Sequence, residues 1–265
     1  MTGWQFFSKP DRYCALCGDL RCSVTERLIP RAPAFMRGVT ALFISDVHAL
    51  PTTTDAAMTA LAAKAAALRP DLLLLGGDYS DRPGPTERLF EHLAAIPAPL
   101  GRFAVVGNND REAFPDIDRL RRITARAGFE LLINESRTLR LDGGTLIVAG
   151  LDEYRYGAPD AAGLYPDAPA PDRCRLLLSH YPCGVRPMPD LMLCGHTHGG
   201  QFNLLGVTPY TIGFERLIAR RRASRFIEGL HDLDGGQVFV SKGIGASRLP
   251  LRVGVRPEIN FIRFD

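Results

Sequence analysis

Four of the six histidines in this chain fall, with several aspartates and asparagines, in short segments at the ends of apolar runs. In order the segments are Asp46-Val47-His48, Gly77-Asp78, Gly107-Asn108-Asn109-Asp110, Ser179-His180 and Gly195-His196-Thr197-His198. Each follows a strand-like stretch: ALFIS, LLLLG, RFAVV, CRLLL and LMLC. Strand ends of an α/β protein converge on one edge of a sheet, where ligands bind. Carboxylate and imidazole donors gathered there are good ligands for Mn, Fe or Zn, and the pattern predicts a site for two divalent metal ions. In an Asp-x-His step on extended backbone both side chains point the same way, so Asp46 and His48 are expected to grip one ion together. His196 and His198 repeat the step, or diverge to two ions in their glycine-flanked loop. Asp78 follows a double glycine, where backbone can approach closely, and a carboxylate there can bridge two ions. Asn108 offers a neutral carbonyl oxygen and His180 an imidazole.

These segments need a sheet to hold them. Val24–Ile29 reads as a first strand and Val39–Ser45 as the strand ending at the first motif. Residues 54–68 are alanine-rich, open with a Thr or Asp cap and stop before Pro70, which predicts a helix. Leu72–Leu75 reads as a buried strand, Thr86–Ala95 as a helix, Phe103–Val106 as a strand, and Asp116–Ala127 as a helix stopped by Gly128. This strand-helix alternation predicts a largely parallel sheet. Beyond it come short strands over Glu130–Ile133, Arg137–Leu141 and Thr145–Ala149, with Asp142-Gly143-Gly144 as a turn. A Pro/Ala/Gly-rich loop over 157–172 follows, then strands over Arg175–Leu178, Leu191–Cys194, Val238–Ser241 and Ile259–Phe264. Two sheets with helices outside fit this order, and a single doubly wound sheet is the alternative.

Composition sets the bounds. A chain of 265 residues, 46% hydrophobic and 23% charged, is an ordinary globular protein with a sizeable core. A net charge of +3 does not by itself imply nucleic acid, and no basic, aromatic-lined groove is evident. Six cysteines are too few for a disulfide scaffold. No run approaches a membrane span, and the first 25 residues lack the apolar core of a secretory signal. The expectation is a cytoplasmic protein, peripheral to the inner face of the membrane if it touches lipid at all.

The five blocks, in this order and with these gaps, strongly resemble the calcineurin-like metallophosphoesterase family, over roughly Val39 to the C-terminus. The resemblance implies a four-layer α/β/β/α sandwich with two mixed sheets, formed by residues 24–265 as one domain after an irregular lead over 1–23. It implies one metal held by Asp46, His48, Asp78 and His198, and another by Asp78, Asn108, His180 and His196. Mn is the first expectation, with Fe or Zn accepted by the same ligands. Two ions about 3.5–4 Å apart activate a water and clamp the phosphate, and the resulting hydroxide attacks phosphorus in line with the leaving oxygen.

One position departs from the family pattern. Where its third block reads Gly-Asn-His, this chain has Asn109, which hydrogen-bonds but is no general acid near neutral pH. A general acid contributes roughly 10²–10⁴-fold, and its loss matters least when the leaving group is already a stable anion. That favours a pyrophosphate or an activated diester. Residues 191–202 and 237–258 resemble a bacterial branch of the family acting on phospholipid-like or sugar-nucleotide lipid substrates, of the UDP-diacylglucosamine kind. Gly199-Gly200-Gln201 is expected to extend the metal loop, and Lys242–Arg248 to form a loop near the site. Arg220, Arg221 and Arg222, among interleaved apolar residues, could grip a diphosphate or rest on an anionic lipid surface; a solvated charge run is the plain alternative.

Cys14, Cys17 and Cys22 resemble part of a zinc knuckle without its fourth ligand. Cys174, Cys183 and Cys194 read as buried thiols. Asp81 could orient a ligand or cap its loop, and Asp110 could hold its own loop. The rival functions are a metal-binding scaffold of the same fold with little catalysis and, behind it, a nuclease.

Overall fold

A computed structural model describes residues 14–16, 18–165, 169–212 and 226–265. In chain order the elements are β1 (Cys14–Leu16), β2 (Ser23–Ile29), β3 (Thr40–Ile44), α1 (Asp55–Ala67), β4 (Leu72–Leu75), α2 (Pro83–Leu93), β5 (Gly101–Ala104), α3 (Asn108–Ala113), α4 (Ile117–Arg126), β6 (Glu130–Leu131), β7 (Glu135–Leu141), β8 (Gly144–Gly150), β9 (Arg173–Ser179), β10 (Leu191–Cys194), β11 (Gly229–Leu233), β12 (Gly236–Val240), β13 (Leu251–Val253) and β14 (Glu258–Phe264).

Local chemistry sets most of these boundaries. The Thr54 hydroxyl accepts from the Ala57 amide and caps α1. The Asp116 carboxylate caps α4 through Asp118, and Gly128, at φ +77°, lets the chain leave that helix. Helix α2 begins at Pro83, three residues before the expected Thr86, because proline is well suited to the first helical turn. Strand β5 ends at Ala104, two residues short of the expected Val106.

Two six-stranded mixed sheets form, ordered β2-β14-β3-β4-β5-β6 and β11-β12-β10-β9-β8-β7. Strands β3, β4 and β5 are parallel neighbours, as are β8, β9 and β10. The all-leucine β4 is buried on both faces, which explains why it shows no alternation. One face of the first sheet packs Leu42, Ile44, Leu73 and Leu75 against Met58, Leu61, Leu89 and Leu120 of the helices. Its other face packs Phe43, Leu74 and Phe103 against Leu146, Leu176, Leu193 and Phe239 of the second sheet. The outer face of the second sheet is covered by segments carrying Leu164, Tyr165, Val185 and Phe226. This is the two-sheet α/β sandwich expected. Cys14–Leu16, inside the segment read as irregular, pairs antiparallel with Leu251–Val253. No helix among the described residues is long and apolar enough to cross a membrane.

Candidate metal centre

The motif segments lie just past the carboxyl ends of β3, β4, β5, β9 and β10, so strands of both sheets deliver them to one place. Asp46, His48, Asp78, His180 and His198 are all buried, Asn108 nearly so, and His196 is half-buried. Asp46 and His48 converge, but not through the strand periodicity expected from the Asp-x-His spacing. Neither sits on extended backbone: φ is +52° at Asp46 and +44° at His48. Asp78, His196 and His198 are also left-handed, at +55°, +70° and +53°. Such backbone is uncommon for residues with a Cβ, and it persists where surrounding structure over-determines it, typically at functional sites. The chain turns sharply off each strand and the side chains turn inward with it.

Two clusters result. Asp46, His48 and His198 place one donor atom each within 4.8 Å of one another, and so do Asp46, Asp78 and His180. Asp78 Oδ2 lies 3.5 Å from His48 Nε2 and 3.3 Å from His180 Nε2, between the two halves. His198 Nε2 is 3.5 Å from Asp46 Oδ1. His196 Nδ1 is 3.0 Å from Asn108 Oδ1 and 3.2 Å from His180 Nε2. All seven expected ligands are therefore brought together.

Hydrogen bonds on the far side of the rings orient them. His180 Nδ1 is 2.8 Å from the Gly76 carbonyl oxygen, His198 Nδ1 3.3 Å from that of Gly245, and His48 Nδ1 3.3 Å from Asp81 Oδ1. An Nδ1–H given by His180 and by His48 to its oxygen leaves the Nε2 lone pair facing the cluster, as metal ligation requires, whereas at His198 the same nitrogen also faces the donor-only guanidinium of Arg252 at 3.1 Å. Electrostatics agree in part. Burial, with the charge of His180 added, lowers His196 to about 3, and burial with His48 and Arg252 lowers His198 well below its ordinary value. Both are thus held neutral. Burial opposes the charge on His180, but Asp78 beside it outweighs this and raises it to about 10.

The surroundings hold these groups in place. Buried Asp110 accepts from the amides of Asp78 (2.7 Å), Gly107 (2.8 Å) and Tyr79 (3.0 Å), fastening two motif loops together. A Cβ at Gly107 would overlap the Asp78 carboxylate, and one at Gly195 the Asp46 carboxylate. The glycine loop after Lys242 packs on Asp46, with the Gly245 amide donating to the Asp46 carbonyl at 2.6 Å. Gln201 binds the carbonyls of Ser247, Leu249 and Leu251 and so carries the metal loop into that loop.

Asn109 sits at the rim. Its amide nitrogen donates to Asp78 Oδ1 at 2.9 Å, and its Nδ2 donates to Asp81 Oδ1 at 2.6 Å. Arg220, Arg221, Arg222 and Cys17 lie outside the described residues, as does the side chain of Cys14. Cys22 is a free thiol, pushed up to about 11 by burial. Cys174 and Cys194 are buried as expected and Cys183 half so.

Three features were missed from sequence. Helix α3, carrying Asn108 and Asn109, spans six residues, too short to show a period. Fully buried Arg252 reaches His198 Nδ1 with Nη2 at 3.1 Å and the carbonyls of Gly245 and Lys242 at 2.6 and 2.7 Å. Arg111 pairs with buried Asp152 at 2.6 Å. Neither arginine stands out in a chain holding 32 Lys and Arg.

Residues 39–200 match the family model of the calcineurin-like phosphoesterases. The chain is 32% identical over 203 residues to the uncharacterized metallophosphoesterase YkuE of Bacillus subtilis, an alignment covering 72% of this chain and 66% of that relative's length. It is 28% identical to the phosphodiesterase YaeI of Escherichia coli, over 83% of this chain and 80% of the relative. It is 26% identical to the UDP-2,3-diacylglucosamine pyrophosphatase LpxG of Chlamydia trachomatis, over 89% and 86%. The chain belongs to the calcineurin-like phosphoesterase family, whose members use divalent metals, and is a phosphoric-ester hydrolase.

Proposed function

We propose that this chain is a binuclear-metal phosphohydrolase that cleaves a phosphodiester or pyrophosphate bond, with a lipid-linked nucleotide diphosphate as the favoured substrate class and residues 24–265 acting as one catalytic unit. The observation that carries the reading is Asp78 Oδ2, which faces imidazole nitrogens of both half-sites at 3.5 and 3.3 Å. The donor set fits a metal: His48 Nε2 is buried with no hydrogen-bond partner among the described residues and faces the carboxylates, and such an orphan needs a ligand to offset its burial.

Asp46, His48, Asp78 and His198 would hold one ion, and Asp78, Asn108, His180 and His196 the other, Mn being the first choice. Bound there, two divalent ions supply an acidified water as nucleophile and neutralise the charge that builds on phosphate oxygens. Asn109, tied to Asp81, can donate an N–H to the phosphate but has no proton to give the departing oxygen. That supports a leaving group that is stable as an anion, and a relative named as a pyrophosphatase is consistent with it. Arg220, Arg221 and Arg222 remain proposed contacts for a diphosphate or an anionic lipid surface.

The test is Mn add-back to chelated protein with bis-p-nitrophenyl phosphate and a panel of diphosphates. Metal-dependent turnover is expected. No turnover of any of them with metal bound would instead make the chain a metal-binding scaffold.

A further inference from the structure

Past His198 the chain runs through Gly199, Gly200 and Gln201 into a tight hairpin. Leu204 and Val207 close it with paired backbone bonds: the Leu204 amide donates to the Val207 carbonyl at 3.0 Å and the Val207 amide to the Leu204 carbonyl at 2.9 Å. Its two central residues, Leu205 and Gly206, are left-handed, at φ +53° and +91°. Such turns favour Asn, Asp and Gly, and a leucine is conformationally disfavoured there. Leu205 is also 92% exposed, so burial within the chain does not compensate it. Leu204 and Val207 beside it are more than half exposed, and so is Leu249.

The hairpin is firmly based. The Asn203 amide donates to the Val253 carbonyl of β13 at 2.7 Å, and Asn203 Oδ1 accepts from the Gly206 amide at 2.9 Å. Buried Thr208 lies against the metal loop, where a Cβ at Gly200 would come within 2.8 Å of it. Gln201 Nε2 donates to the Leu249 carbonyl at 3.0 Å, which ties Leu249 and exposed Arg248 to the same base. Residues 195–214 and 241–257 contain no Asp or Glu, in a chain that holds 29. The apolar tip thus has a cationic flank and no carboxylate in either of the segments that form it.

That combination selects the partner. A stable protein interface uses about 20–30 residues a side, far more than a single turn supplies. A bilayer asks for less: a few apolar side chains enter the headgroup boundary while nearby cations stay with anionic headgroups.

We propose that the hairpin of Leu204, Leu205, Gly206 and Val207, with Arg248 and Leu249, docks the chain on an anionic phospholipid bilayer, Leu205 entering the headgroup boundary. His198 stands seven residues before Leu205, so docking brings the Asp/His cluster to the lipid surface. The inference deepens the phosphohydrolase reading and rests on it only for the lipid-linked substrate that such a surface would present.

Co-sedimentation of the full chain with phosphatidylcholine vesicles, and with vesicles of phosphatidylcholine and phosphatidylglycerol in equal parts, tests it. Wild type is expected to bind the mixed vesicles more tightly. Removing a leucine from water corresponds to about tenfold or more in affinity, so Leu205→Asp should lose that much. Aspartate suits the turn, which separates lost docking from lost folding. Arg248→Glu should weaken binding to the mixed vesicles about fivefold or more. Wild type that stays in solution, or either variant binding as wild type does, overturns the proposal. So does a lipid-free dimer, seen by sedimentation velocity, that Leu205→Asp dissociates, since the hairpin would then be a self-association face. Turnover of soluble bis-p-nitrophenyl phosphate separates the two ideas: an inactive protein that binds the vesicles keeps the docking surface and loses the hydrolase, and an active one that ignores them loses the docking surface alone.

Discussion

Asn109 Nδ2 lies 2.6 Å from Asp81 Oδ1, and that same oxygen lies 3.3 Å from His48 Nδ1. One carboxylate therefore holds both the residue that replaces the family histidine and a candidate metal ligand. The position proposed to set the leaving-group chemistry is thus joined through one carboxylate to the candidate metal centre.

Asn109→His should restore a proton donor at the rim. A general acid gives roughly 10²–10⁴-fold where the leaving oxygen is a poor anion, so kcat on an alkyl ester should rise by at least about tenfold more than kcat on a p-nitrophenyl ester. Steady-state kinetics on both esters measure this. Equal gains on the two would refute the leaving-group argument.

Asp81→Ala frees both partners at once. Loss of a group that orients a metal-bound histidine lowers metal affinity or activity about 10–100-fold, and a loss in that range is expected. Because Asp81 and Asn109 touch, the double variant Asp81→Ala/Asn109→Ala should lose less than the product of the single losses. Strict additivity in kcat/KM would mean that the pair does not act as a unit.

Arg252→Met addresses the buried guanidinium behind His198. It strands the Gly245 and Lys242 carbonyls, at about 1–3 kcal/mol for each unsatisfied group. For a chain of this size each kcal/mol corresponds to roughly 2–4 °C in Tm, so a drop of about 4–24 °C is expected, along with weaker Mn binding. An unchanged thermal transition would remove Arg252 from the scaffold of the site.

Much of this is legible in the sequence. The apolar runs locate β3, β4, β9 and β10 because buried parallel strands are nearly continuous in hydrophobicity. The donor residues could be read because they stand immediately after those runs. What the sequence hid was backbone conformation and distance. Asp46 and His48 converge through left-handed turns, which strand periodicity cannot reveal. Arg252 meets His198 across 54 positions of chain, and Arg111 meets Asp152 across 41. Such partners are set by how two sheets close on one another, and no local spacing encodes them.

The bridging role of Asp78 is the centre of the proposal, and metal content bears on it most directly. Wild type reconstituted with Mn and freed of excess ion should hold two ions per chain by elemental analysis and turn over bis-p-nitrophenyl phosphate. Asp78→Ala, folded by circular dichroism, should hold no more than one and lose nearly all turnover. An Asp78→Ala protein that keeps both ions and full activity would contradict a bridged two-metal centre.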